Sequence, residues 1–337
     1  MVKNESDIIE SFIRYHLNIV DEILISDHNS CDSTRSIIES IRDEGFPIHI
    51  FYENSAEHQQ SKVMTNLMHK AVHEYKADVI IPLDADEFIA PVEADHDIKS
   101  ILHDLNIDTV YNINSTIYFP CDSANNNDSF FPWRLFYKSN SHQGKGKIII
   151  GREIPEKHHA SIEQGNHDIS ISKRKRKHVN YFEHEQIQIV HIPFRSYNQF
   201  LSKISVGWVS NTARYNKKFL DAYHWRDAFT KIKQGKILKD SDIYKIISSI
   251  DFDKNTMKID SFKSKCPYCV IKYDDRVLTD PFLNILHASE SLATQYSKLN
   301  FEHNKFSYLL KKMLSVSLYN LKFFLYKKVM GRNVTFN

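Results

Sequence analysis

Apolar positions in the first quarter of the chain alternate between two periods. Ile8, Ile9, Phe12, Ile13 and Ile19 recur at helical spacing behind Ser6, which predicts an amphipathic helix with Ser6 as its N-cap. The run from Glu22 to Asp27 is short, apolar and ends in a carboxylate, so it reads as a strand. Asn29 to Thr34 reads as a loop capping a second helix, which Gly45 and Pro47 stop after Glu44. The alternation repeats, with a strand from Ile48 to Tyr52, a helix from Glu57 to Tyr75, and a strand from Val79 to Leu83 that runs into Asp84-Ala85-Asp86. Strands alternating with helices predict an α/β fold with a mostly parallel sheet flanked by helices. Ligands of such sheets bind beyond the carboxyl ends of the strands, where Asp27, Asp84 and Asp86 all fall.

A helix from Asp97 to Leu105 and a strand from Thr109 to Phe119 follow. Beyond residue 211 the periodicity is helical, from Phe219 to Lys233 and from Ser241 to Ile250, without strand alternation. The predicted organisation is a catalytic domain over 1–210, a helical C-terminal region over 211–303 and a tail helix over 304–337.

Composition narrows the class. With 42% hydrophobic and 26% charged residues the profile is globular, and 44 Lys plus Arg against 42 Asp plus Glu excludes a global attraction to nucleic acid. The basic run Lys173 to His178 has no aromatic residues interleaved for stacking on bases, and reads as a solvated loop. Cys266 and Cys269 form a CxxC that lacks a βαβ context for redox chemistry and a second CxxC for zinc. Without a charged segment followed by an apolar one at the start, a cytoplasmic location is the expectation.

Two carboxylates one residue apart after a buried strand can both face one hard cation, and all-oxygen ligation suits Mg²⁺ or Mn²⁺. A solvated turn is the competing reading of Asp84 and Asp86, and either way Asp86 is expected at an exposed strand end.

The segments Val2-Lys3-Asn4-Glu5, Tyr15-His16, Asp27 to Thr34, Leu83-Asp84-Ala85-Asp86-Glu87-Phe88 and His191-Ile192-Pro193-Phe194-Arg195-Ser196 occur in this order. The ordered set resembles family-2-like glycosyltransferases of GT-A fold, a Rossmann-like α/β architecture, over the first two-thirds of the chain. The resemblance implies that Lys3, Asn4, Glu5 and Asp27 border the base of a nucleotide-sugar donor, UDP-linked by expectation. It further implies that Asp84 and Asp86 serve the diphosphate and Mn²⁺ or Mg²⁺, with His191 completing the metal shell and Arg195 and Lys203 reaching the phosphates. His167 rivals His191 as the metal ligand, Asp27 can equally cap its loop, and Tyr15-His16 reads better as packing than chemistry. The catalytic base of an inverting hexosyltransferase is not marked by a motif; Asp128, Glu163 and Asp168 are the candidates. In the family several apolar residues precede the Val-Lys-Asn-Glu segment, whereas here only Met1 does, so either the start is truncated or the first strand is very short.

A nucleotidyltransferase that makes a nucleotide-sugar is the rival enzyme class, but the Gly-rich phosphate loop it needs is lacking, Gly45 alone preceding Gly144. A non-catalytic sugar-nucleotide-binding protein is the other rival, against which the three retained acids argue. The expected acceptor is a saccharide or a lipid-linked acceptor in surface polysaccharide synthesis. The tail bears on this, because residues 304–337 hold six Lys and one Arg with no acid. At about 100° per residue Lys311, Lys312 and Lys322 share one helical arc, opposite Leu310, Met313, Leu314, Leu321, Phe324 and Leu325. That profile predicts either a peripheral helix on an anionic membrane surface, at the inner face of the plasma membrane, or a terminal helix packed on the core.

Overall fold

A computed structural model describes residues 1–55, 59–93, 95–121, 132, 134, 136–138, 146–171, 179–212, 223–236, 238–248, 258–260, 270–273 and 280–330. Asp128, the basic run 173–178 and the pair Cys266 and Cys269 lie outside the described residues. Two compact units divide the chain, residues 1–288 and 289–337.

In the first unit the predicted alternation is present as α1 (Ile9–His16), β1 (Ile23–Asp27), α2 (Thr34–Asp43), β2 (Ile48–Tyr52), α3 (Gln60–His73), β3 (Val79–Ile80), β4 (Glu87–Pro91), α4 (Ile98–His103) and β5 (Thr109–Pro120). The strand of the Val2-Lys3-Asn4-Glu5 segment is a single parallel bridge between Val2 and Asp27. It is closed by Val2 N donating to Ser26 O (2.8 Å) and His28 N to Val2 O (2.8 Å). Then come β6 (Phe136–Lys138), β7 (Lys147–Gly151), α5 (Glu153–His158), the short pair β8 (Ser161–Ile162) and β9 (Ile169–Ser170), and β10 (Asn180–His191). Helices α6 (Tyr197–Thr212), α7 (Tyr223–Lys233) and α8 (Asp240–Ser248) follow, then β11 (Lys258–Asp260) and α9 (Pro281–Met330).

Strand directions are more mixed than the alternation predicts. Parallel pairing holds for β1 with β2 and for β5 with β10, while β4–β10, β5–β6, β5–β7, β3–β7 and β6–β11 are antiparallel. The reason is connectivity: β5, β6 and β7 follow one another with no helix between them among the described residues, and only parallel neighbours require a crossover. Strand β11 likewise places a strand in the region read as wholly helical.

The core explains the positions of the site. All eight residues of α1 are buried, and Ile9 and Ile13 pack in one cluster with Phe88, Ile89 and Ile189 of the sheet. A second cluster joins Met64 and Leu67 of α3 to Ile148 and Ile150 of β7. In a third, Phe119 at the end of β5 stacks on Phe194 at 4.9 Å between ring centroids and packs with Phe200, Ala228 and Tyr244. Burial of Phe194 and Phe200 fixes the segment that carries Arg195 and Lys203 against the sheet.

Candidate active site

The loop after β1 is organised by its own polar side chains. Asp27 is buried and its carboxylate accepts from Ser30 N at 3.3 and 3.4 Å. Asn4 has a left-handed backbone (φ 56°); its amide donates to Ser30 Oγ (3.0 Å) and its side-chain oxygen accepts from Cys31 N (2.9 Å). Glu5 N donates to Thr34 Oγ1 (2.8 Å) and Ser6 N to Asp32 Oδ2 (3.2 Å). The segments 2–6 and 27–34, far apart in sequence, thereby form one double loop at the carboxyl end of β1. Lys3 is half-buried at its edge, and burial lowers the pKa of its ammonium. The Asp27 carboxylate fills the loop-capping role that the sequence leaves open, and burial raises its pKa.

Asp84 and Asp86 face different partners. Asp84 Oδ1 accepts from Gln60 Nε2 (2.8 Å) and Asn166 Nδ2 (3.3 Å), and Oδ2 is 2.9 Å from Lys147 Nζ. Lys147 is itself 2% exposed, lies 3.0 Å from Glu87 Oε1 and donates to Gly165 O at 2.7 Å. Two carboxylates around one buried ammonium hold its proton, so its pKa is raised despite desolvation. The β8–β9 turn supplies the Asn166 and Gly165 contacts through consecutive left-handed residues, Gly165 (φ +85°) and Asn166 (φ 60°). Gly146 abuts the Ile113 carbonyl where a Cβ would collide, and this close approach seats Lys147.

Asp86, expected at an exposed strand end, is instead buried. Its Oδ2 is contacted by Lys203 Nζ, with His191 Nε2 at 3.7 Å and Arg195 Nη1 at 3.9 Å. The burial follows from pairing: β4 begins at Glu87 opposite His191, and Ile192 N donates to Asp86 O (2.8 Å). Lys203, His191 and Arg195 hold the carboxyl well below the usual carboxylate range against desolvation.

Arg195, expected to reach phosphates, is turned inward. Its Nε donates to Asp7 Oδ2 (2.6 Å), and its Nη2 to Asp7 Oδ1 (2.9 Å) and to Glu5. Glu5 in turn lies half-buried beside Arg195 and Lys203, and desolvation raises its pKa to about 7. The arginine thus clamps the first loop to the segment after β10. His167 sits apart from the Asp86 group, its Nδ1 2.7 Å from Gly146 O. Glu163 is exposed, and Asp168 Oδ1 accepts from Ile169 N (2.7 Å) and Tyr181 OH (3.3 Å). Both flank the turn that touches Asp84.

Tyr15 and His16 pack as expected and also brace the acidic segment. The Tyr15 hydroxyl donates to Ile89 O, and His16 Nε2 accepts from Ile89 N at 3.4 Å, so both backbone groups of one β4 residue are held from α1. Lys147, Gln60 and Asn166 were not singled out by the sequence. Only Lys147 left a signal, as a charge opening the apolar run Ile148-Ile149-Ile150.

Asp86 and His191 set a carboxylate oxygen and an imidazole nitrogen 3.7 Å apart, with the Lys203 ammonium on the same oxygen. Among the described residues no group of three or more His, Cys, Asp or Glu is gathered to hold a metal. Two protein ligands suffice where substrate phosphates complete the shell.

Residues 1–150 match the family described as Glycosyl transferase family 2. The match supports a family-2-like glycosyltransferase over this span. It implies the GT-A fold, with which the mixed α/β architecture agrees, and supports a glycosyl transfer role; the family binds a nucleotide-sugar donor and an acceptor. Asp84, Asp86 and Lys147 lie inside the matched span of the glycosyltransferase domain, whereas His191, Arg195 and Lys203 lie beyond it. No curated protein matches the chain.

Proposed function

We propose that the chain is an inverting hexosyltransferase that moves a sugar from UDP to a saccharide or lipid-linked acceptor in surface polysaccharide synthesis. The observation that carries this reading is the convergence of Asp86, His191 and Lys203 beside the double loop of Lys3, Asn4, Glu5 and Asp27. The double loop binds the nucleoside, with Lys3 as its cationic edge. Asp86 and His191 would hold Mn²⁺ or Mg²⁺, which would supply Lewis-acid neutralisation of the diphosphate. Lys203 exchanges its contact with Asp86 for the diphosphate, a charge-assisted partner that strengthens as the leaving group gains charge. The acceptor hydroxyl attacks the anomeric carbon as the bond to the β-phosphate oxygen breaks, and its proton passes to a carboxylate. Asp168 and Glu163 are the described candidates for that base, and Asp128 is the third.

The tail supports a membrane acceptor. In the second unit Leu310, Met313 and Leu314 are 48%, 71% and 56% exposed. Among the described residues no helix is long and apolar enough to cross a membrane. A peripheral position on anionic lipid, at the inner face of the plasma membrane, covers Leu310, Met313 and Leu314 and answers the lysines.

Incubation of the protein with a panel of nucleotide-sugars, with Mn²⁺ or with chelator, tests the reading. Metal-dependent release of UDP from one donor is the expected outcome. Release from none, with no thermal stabilisation by any donor, would overturn it.

A further inference from the structure

The start of α9 is inverted relative to an ordinary surface helix. Phe282, Leu283 and Leu286 are 67%, 50% and 48% exposed, while the polar Asn284 between them is 5% exposed. Apolar burial therefore does not explain why this turn lies where it does. Hydrogen bonds do. Asp280 Oδ1 caps the helix by accepting from Phe282 N (2.8 Å) and Leu283 N (3.3 Å), which fixes the direction in which Asn284 projects. The Asn284 amide then donates through Nδ2 to Ser202 Oγ (2.7 Å), and its Oδ1 accepts from the Cys31 thiol (3.0 Å).

These two partners belong to opposite sides of the site. Cys31 N donates to Asn4 Oδ1, so Cys31 is part of the double loop. Ser202, buried on α6, immediately precedes Lys203, which holds Asp86. We infer that Asn284 is a positioning residue of the donor site, joining the nucleoside loop to the helix that carries the phosphate-facing lysine. This rests on the donor reading given above. A buried side-chain amide satisfied at both ends is costly to replace, and its loss takes one partner each from Ser202 and from the Cys31 thiol, which keeps only its longer contact with Asn4 Oδ1 (3.5 Å). Residues matched to the family end at 150, so this link comes from a part of the chain that the family description does not cover.

The test uses the full chain, with UDP binding by calorimetry and the alkylation rate of Cys31 followed by peptide mass spectrometry. Asn284→Leu is expected to weaken UDP binding about tenfold and to abolish the slowing of Cys31 alkylation by UDP. Alkylation of buried Cys121 stays slow and reports an intact fold. Should Asn284→Leu fail to fold, Ser202→Ala carries the test with the same expected direction, and Ser202→Thr, which keeps the hydroxyl, restores binding. Unchanged UDP affinity and unchanged Cys31 protection in a folded variant would overturn the inference. If the wild type binds no UDP, the donor reading fails instead, a result separable from this one.

Discussion

His191 Nε2 stands 3.7 Å from Asp86 Oδ2, across the antiparallel pairing that sets His191 opposite Glu87. A residue beyond the matched domain is thus delivered to the acidic segment by sheet register. His191 is 28% exposed at its side chain, whereas that of Asp86 is 3% exposed. His191→Ala is expected to weaken Mn²⁺ binding in the presence of UDP while leaving the melting temperature within a few degrees. Asp86→Asn differs, because Lys203 and Arg195 lose a buried counter-charge; it should lower turnover about 100-fold or more and also destabilise the fold. Calorimetric Mn²⁺ titration and thermal melts of the two variants separate these outcomes. Equal melting temperatures would contradict the burial argument.

Lys147 is expected to be a large stability determinant. Lys147→Met leaves Asp84 and Glu87 facing each other without their shared cation, and breaking a buried pair of this kind costs about 3–5 kcal/mol. Urea unfolding measures it, and a loss below 1 kcal/mol would show the cluster to be solvated.

His16 sets a pH dependence. Desolvation lowers its pKa to about 4 from the ordinary 6.5, so the unfolded chain takes up a proton that the folded one refuses. Its contribution is fully present above pH 6.5 and is lost as pH falls toward 4, to the extent of about 3 kcal/mol. His16→Gln should flatten the stability profile over that interval in denaturant titrations at several pH values. An unchanged slope would assign the acid sensitivity to other groups.

The tail is tested by liposome co-sedimentation. The full chain should pellet with anionic but not neutral vesicles at low salt and be released by salt. Replacing Lys311 and Lys312 by Glu should abolish pelleting without affecting UDP binding. Equal behaviour on both vesicle types would remove the charge argument.

The first half of the fold was legible because β1, α2, β2 and α3 carry clean periodicity and Gly45, with a left-handed backbone, stops α2. Strand direction was not, since β5, β6 and β7 look alike in either orientation and their pairing is decided by distant partners such as Ile113 and Lys147. Asp27 and His191 were legible as an acid and an imidazole at strand ends, whereas β3 stops at Ile80, short of the expected Leu83, and leaves Asp84 and Asp86 in the connection to β4. The inward turn of Arg195 was hidden, because its partner Asp7 sits in a helix start with no motif of its own. Asn284 was hidden for the opposite reason: it is a polar residue among apolar ones, and periodicity assigns the apolar ones to the interior.

The hold of Tyr15 and His16 on Ile89 gives α1 a second meaning. One end of this helix continues from the Asn4-Glu5 loop and the other grips the strand that leaves Asp86. Eight residues at 1.5 Å each make it a spacer of roughly 12 Å. The helix therefore works as a gauge block, setting the distance along the backbone between the Asn4-Glu5 loop and the β4 strand that follows Asp86. Adding or deleting one residue would change that length only slightly, yet would turn one end against the other by about 100°, so the chain tolerates drift in side chains here far better than drift in length.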